Sequence, residues 1–266
     1  MAETGTVSAA GLAAVGTSSR RVMLVRVAIV GTLLLGWEAL AESGLLFRDV
    51  VPSLAAIGSA LARVLASADF YANLGVTAGE IVVAMAIGGV AGLAVGILLG
   101  ANRFLSRAYE SLLYYLGPTP KIIFFPVMIM WFGVGPGSKV AMGAISCFFP
   151  IALSTAAGMR QIDQVLIRVG KSFRANAWQM ATKIYLPAMR AAVVNGVRLG
   201  LGVAIIGTLL AETKLSNRGV GYLIIQAYST FDMPRMYALL IVLFALSIVV
   251  NAAIERMGRA RFTHAA

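Results

Sequence analysis

Gly170-Lys171-Ser172 is how a phosphate-binding loop ends, and it is the most suggestive chemical motif in this chain. Such a loop needs a glycine five residues before its second glycine, so that a tight turn aims backbone N–H groups at phosphates. Position 165 is valine, whose branched Cβ resists the required backbone angles. A strand should also precede the loop, and the residues before it carry a helical pattern instead. The tripeptide is therefore read as something other than a nucleotide site. No HExxH, cysteine pair or Ser/His pair is present, so no catalytic residue and no metal site is assigned. Cys147 lies alone in an apolar run, and the lone histidine, His264, sits two residues from the end. What remains are charges inside apolar segments: Glu38, Glu80, Lys121, Arg198 and Glu212. Charge within a membrane is costly and marks functional candidates.

The elements that must position those charges follow from composition. The chain is 59% hydrophobic and 12% charged, against roughly 25% charged in soluble domains. A bilayer is the expected solvent. Residues 1–21 read as a disordered tail. The run at 22–41 follows Arg20-Arg21 and resembles an export signal. Trp37 and Glu38 interrupt the small-residue approach to a cleavage site, so the run is kept as a first spanning helix. Ser53 caps a surface helix running to about Ala66. Further spans are expected at 76–101, 118–134, 140–159, 188–212 and 237–255, the third preceded by a short helix at 107–116. The fold class is thus an all-α membrane protein with six transmembrane helices over 22–256, followed by a basic cytoplasmic tail at 257–266.

Cytoplasmic loops hold the excess of Lys and Arg. With the N-terminus inside, fourteen of the 22 basic residues are cytoplasmic and six, including Lys139, lie outside, with Lys121 and Arg198 left near or within spans. The expected topology is N-in/C-in. The net charge of +11 is a topology signal, and nucleic acid drops out as a partner. Residues 160–187 become the largest cytoplasmic loop. Ile162, Val165, Leu166 and Val169 give one apolar stripe, and Trp178, Ala181, Thr182 and Tyr185 a second. Two short helices meeting near 174–177 would make a basic knob with an apolar underside, the composition of a docking element.

The end of this loop, Ile184-Tyr185-Leu186-Pro187, resembles the signature of membrane subunits of bacterial binding-protein-dependent ABC importers. Arg174 stands where that signature has glycine, and Arg168, Val169 and Gly170 stand at its Glu-Ala-Ala, so the first half is degenerate. "VPS" at 51–53, "FFPVMIMWFGVG" at 124–135, "NGVRLGLGVAIIGTLLAE" at 195–212 and "RGVGYLIIQAYSTFD" at 218–232 are similar to the nitrate, sulfonate and taurine branch. The resemblance implies a permease of the bacterial inner membrane with no cofactor of its own, ATP and Mg belonging to a separate ATPase subunit. It also implies a second permease subunit, identical or homologous, and a periplasmic binding protein that delivers a small solute. It assigns ATPase coupling to Arg168, Lys171, Phe173, Arg174, Ala175, Asn176, Ala177, Trp178, Leu186 and Pro187. Arginine in place of the glycine at 174 removes the freedom for positive φ at the bend, so the bend has another geometry or Arg174 meets an acid on the ATPase.

Arg198, Lys121, Glu80 and Glu212 are the translocation-path candidates. Each has a plainer reading: an ion pair for Arg198, snorkelling for Lys121, and headgroup contact for the two glutamates. Gly88, Gly92, Gly96 and Gly100 recur every four residues on one face, as do Gly196, Gly200 and Ala204, which is the pattern of close helix packing. A secondary transporter or channel is the alternative. No convincing internal repeat relates 22–134 to 140–256, and "GVGPGS" at 133–138 is weak as a filter.

Overall fold

The computed structural model describes residues 9–44 and 50–260. Arg48, His264 and both chain ends, 1–8 and 261–266, lie outside the described residues. Those described are helical, with no strand. The elements are α1 (Ala9–Glu42), α2 (Leu54–Ala66), α3 (Ala68–Ala101) and α4 (Arg103–Leu116), then a 3₁₀ turn (Lys121–Phe124) and α5 (Phe125–Phe132). After them come α6 (Pro136–Arg160), α7 (Gln164–Ser172), α8 (Ala177–Gln179), a π-helical turn (Met180–Tyr185) and α9 (Leu186–Ala188). The chain ends with α10 (Arg190–Lys214), α11 (Val220–Ser229) and α12 (Met233–Ala260). Helix α1 begins at Ala9, so residues 9–21, expected as irregular tail, are helical; an alanine-rich stretch favours that state.

Among the described residues five helices are long and apolar enough to cross a membrane, α1, α3, α6, α10 and α12, or six if one bent pair counts as a span. The expected third span at 118–134 is not one straight helix. Residues 103–132 are two helical pieces bent by 91° at a break. The 121–132 piece rises only about 18 Å at 1.5 Å per residue, short of a bilayer core. Pro118 and Pro120 lack the N–H that would continue the ladder, and Pro126 restarts it in the first turn of α5.

The core is α6 with α3 on one side and α10 on the other. The glycine ladder of α3 makes the first contact possible. A Cβ at Gly92 would lie 2.8 Å from the Phe148 carbonyl oxygen, and one at Gly96 would lie 2.6 Å from that of Ala152. Gly88 meets Ala144 and Gly100 meets Ala156 in the same register. Both numbers rise together, so α3 and α6 run parallel. The chain between 101 and 136 must therefore return from one end of the core to the other. Gly200 on α10 packs on Ile151 and Gly207 on Ser146, a falling register, so α10 is antiparallel to α6. Small residues on both faces let backbones touch, and the packing reading of the two glycine stripes accounts for them.

One end of this core holds α2, α11 and the start of α12, which share with the start of α3 a cluster of Ala60, Val64, Phe70, Leu223 and Leu239. Helix α1 joins here by its C-terminal end. Trp37 Nε1 donates to the Pro52 carbonyl at 3.0 Å and its ring meets Tyr237 edge-on. Glu38 Oε2 accepts from the Leu54 amide at 2.8 Å, beside the expected cap, Ser53, which accepts from Ala56. Glu38 thus closes the start of α2. The opposite end carries α7 to α9.

Candidate functional site

The loop at 160–187 is built as a knob. Asp163 accepts from the Val165 amide and starts α7. At the other end of α7 the Ala175 amide donates to Gly170 O at 3.0 Å and the Arg174 amide to Lys171 O at 2.9 Å. That is a Schellman stop with Arg174 at its left-handed position, φ 51°. The expectation that the bend changes geometry without glycine is thus corrected: the left-handed bend forms with arginine in it. Asn176 and Gln179 then form a reciprocal capping box on α8. The second half of the knob, expected as one plain helix, continues as the π-helical turn before Pro187 opens α9. Leu186 packs with Met159, Ile162 and Met189, tying the knob to the ends of α6 and α10.

Gly170 is buried where α7 crosses the π-helical turn, and a Cβ there would lie 2.6 Å from Met180 Sδ. The glycine of the Gly-Lys-Ser tripeptide is thus a packing residue. The apolar stripe of α7 is a partial correction. Ile162 is buried as expected, but Val165, Leu166 and Val169 face outward and run on into Phe173, which is 83% exposed. Trp178 beside it is 76% exposed. Arg168, Lys171, Arg174, Asn176 and Ala177 are exposed, and Ala175 is half-buried. The knob therefore presents an apolar strip, two aromatic rings and several cations away from the helix bundle.

A second polar constellation lies at the other end of the core. Glu212 is fully buried; its carboxylate accepts from Thr77 Oγ1 at 2.7 Å and from the Gly221 amide at 2.6 Å. Thr77 Oγ1 in turn accepts from the Val220 amide at 2.8 Å, and Asn73 Oδ1 from the Gly219 amide at 2.7 Å. Three successive amides at the start of α11 are thus pinned to side chains of α3 and α10. Gly219 is at φ 105°, a conformation closed to other residues at small cost. Glu80 stands against Glu212 with Lys139 in electrostatic reach of both. The headgroup reading of the two glutamates is corrected: both are interior. Lys139, counted with the outer loop, is 1% exposed and donates to the carbonyls of Val134 and Gly135. Nothing in the sequence around Lys139 marks it as buried, because the carboxylates that face it, Glu80 and Glu212, come from α3 and α10.

Lys121 is held by local carbonyls and one ring. It donates to the carbonyls of Gly117 and Thr119, and its ammonium lies 5.0 Å from the Phe149 ring centre. It satisfies the carbonyls that the break after α4 leaves open. Arg198 pairs with Glu255 at 3.3 Å, both partly exposed, which favours the ion-pair reading in the single chain. Lys121, Arg198 and the Glu80–Glu212 pair are not brought together into one site.

Residues 88–262 match the family described as the binding-protein-dependent transport system inner membrane component. The chain belongs to this family. It is 29% identical over 230 residues to a Haemophilus influenzae protein named "Probable ABC transporter permease protein", covering 85% of this chain and 92% of that one. It is 26% identical to the taurine transport system permease protein of Escherichia coli, covering 72% and 70%. Its relatives place it among ABC permeases of the nitrate, sulfonate and taurine type. A chain of the MetNI methionine ABC transporter shares the fold, with a TM-score of 0.62 at 23% identity over 71% of this chain and 94% of that one. The chain is therefore a multi-pass transport permease for a small solute.

Proposed function

We propose that this permease is the membrane subunit of an ATP-driven importer in a bacterial inner membrane, and that its knob at 160–187 is the coupling element. The observation that carries this reading is the outward strip Val165–Val169–Phe173 with Trp178 beside it. Apolar side chains in that number gain nothing from water, and aromatic residues with an adjacent arginine are what a small interface concentrates its energy in. The partner is a separate ATPase subunit carrying ATP and Mg. A second permease subunit completes the path. A periplasmic binding protein supplies the solute, which we take to be a small organic or inorganic anion.

Six crossings with N-in/C-in termini fit this reading. The parallel run of α3 and α6 supports it, since 102–135 then has to recross despite its 91° bend. The fourteen-to-six basic asymmetry supports a cytoplasmic knob. Single cysteines at Ser172 and Ser216, in a chain lacking Cys147, test the orientation: they are expected to react with an impermeant reagent from opposite sides. Co-purification tests the coupling. Phe173→Ala is expected to weaken ATPase association by about 2 kcal/mol, roughly 30-fold, while insertion is unchanged. Unchanged association for both Phe173→Ala and Arg174→Glu would overturn the assignment.

A further inference from the structure

At the knob end of the bundle a cleft of 550 Å³ opens between the ends of α3 and α6, the start of α4, and α7. Arg103, Arg107, Arg160 and Lys171 line it, with Ser106 and Gln164. No carboxylate lines it. The nearby Glu110 is occupied, accepting from Arg160 at 2.6 Å and from Ser106 at 2.6 Å. Among the described residues no acid pairs with Arg103, Arg107 or Lys171. Three like charges converging on one cavity repel each other unless an anion joins them.

Depth tells which anion. Gly100, Ala101 and Met159, at the ends of two helices apolar enough to span, line the cleft, which is the depth at which such helices meet headgroups. Helix α4 leads away from it with Phe104, Tyr109, Leu112 and Tyr115 exposed, while Glu110 turns inward to Arg160. An apolar, aromatic outer face with arginines at its start suits a helix that begins among the headgroups and then faces lipid.

We propose that this cleft is a binding site for the phosphate of an anionic phospholipid, gripped by Arg103 and Arg107 with Lys171 opposite. Arginine forks match phosphate oxygens two at a time, and the acyl chains run along the exposed face of α4. Only the leaflet rests on the orientation proposed above; the site itself does not. Because Lys171 belongs to the knob and Arg103 to the bundle, a bound headgroup ties the coupling element to the membrane surface.

The test uses the full chain in detergent, with bound lipid counted by native mass spectrometry. Phosphatidylglycerol is expected to bind in preference to phosphatidylcholine. Arg103→Gln/Arg107→Gln is expected to lower phosphatidylglycerol binding about 25-fold, at about fivefold for each basic residue. The outer-end pair Arg63→Gln/Arg235→Gln, with the same loss of charge, is expected to leave it unchanged. Competition by millimolar inorganic phosphate, with no preference between the lipids, would keep the phosphate site but overturn its lipid source. Equal lipid binding by wild type and the Arg103/Arg107 variant overturns the proposal, and weakened ATPase association in that same variant would then assign the arginines to a protein contact.

Discussion

Glu212 is the residue whose removal should do most to the end of the bundle opposite the knob. Its two oxygens hold the Gly221 amide and the Thr77 hydroxyl, and Thr77 in turn holds the Val220 amide. Glu212→Ala strips an acceptor from two buried donors, each costing about 1–3 kcal/mol when left unsatisfied, and opens a void besides. Taking about 3 kcal/mol for the pair, the locally open state of the 217–223 segment rises on the order of 100-fold. Hydrogen exchange followed by mass spectrometry reads this directly, because the amides of Gly219, Val220 and Gly221 are the ones pinned. Peptides from 217–223 are expected to exchange about 100-fold faster, while those from 88–100 keep their protection. Glu212→Gln keeps one acceptor oxygen and should give roughly tenfold. Exchange within threefold of wild type for Glu212→Ala would refute the view that this carboxylate holds α11 to the bundle.

Three further outcomes are expected. Gly96→Leu places a side chain where a Cβ already falls 2.6 Å from the Ala152 carbonyl oxygen, so it should lower the melting temperature sharply, whereas Gly89→Ala, with 3.7 Å to its nearest neighbour, should leave it unchanged. Arg174→Gly relieves a left-handed residue at φ 51° and should slow exchange at 171–176 about fivefold, worth about 1 kcal/mol; no slowing would mean the bend carries no strain. Arg198→Ala breaks a partly exposed ion pair and should cost under about 1 kcal/mol of stability. It should nonetheless lower transport, with partial rescue by Arg198→Lys, and full transport by the alanine variant would make Arg198 dispensable.

Composition and periodicity alone determined that this chain is an all-helical membrane protein, that its glycine stripes pack, and that 160–187 is a compact basic knob. Those features are local: hydropathy over a window, a four-residue repeat and a proline stop are all written along one stretch of chain. The Gly-Lys-Ser tripeptide could be set aside on the same grounds, because Val165 is too near to escape notice. The tertiary structure decided what depends on two distant segments meeting. Lys139 reads as a loop charge until Glu80 and Glu212 arrive from α3 and α10. Lys121 reads as a lone cation until the Phe149 ring arrives from α6. The outward turn of Val165 and Val169 depends on Gly170 pressing the opposite face of α7 onto Met180 and Ile184. A buried charge and an exposed apolar stripe have the same sequence as their ordinary counterparts; only the neighbours packed against them set the cost of desolvation and the side that water sees.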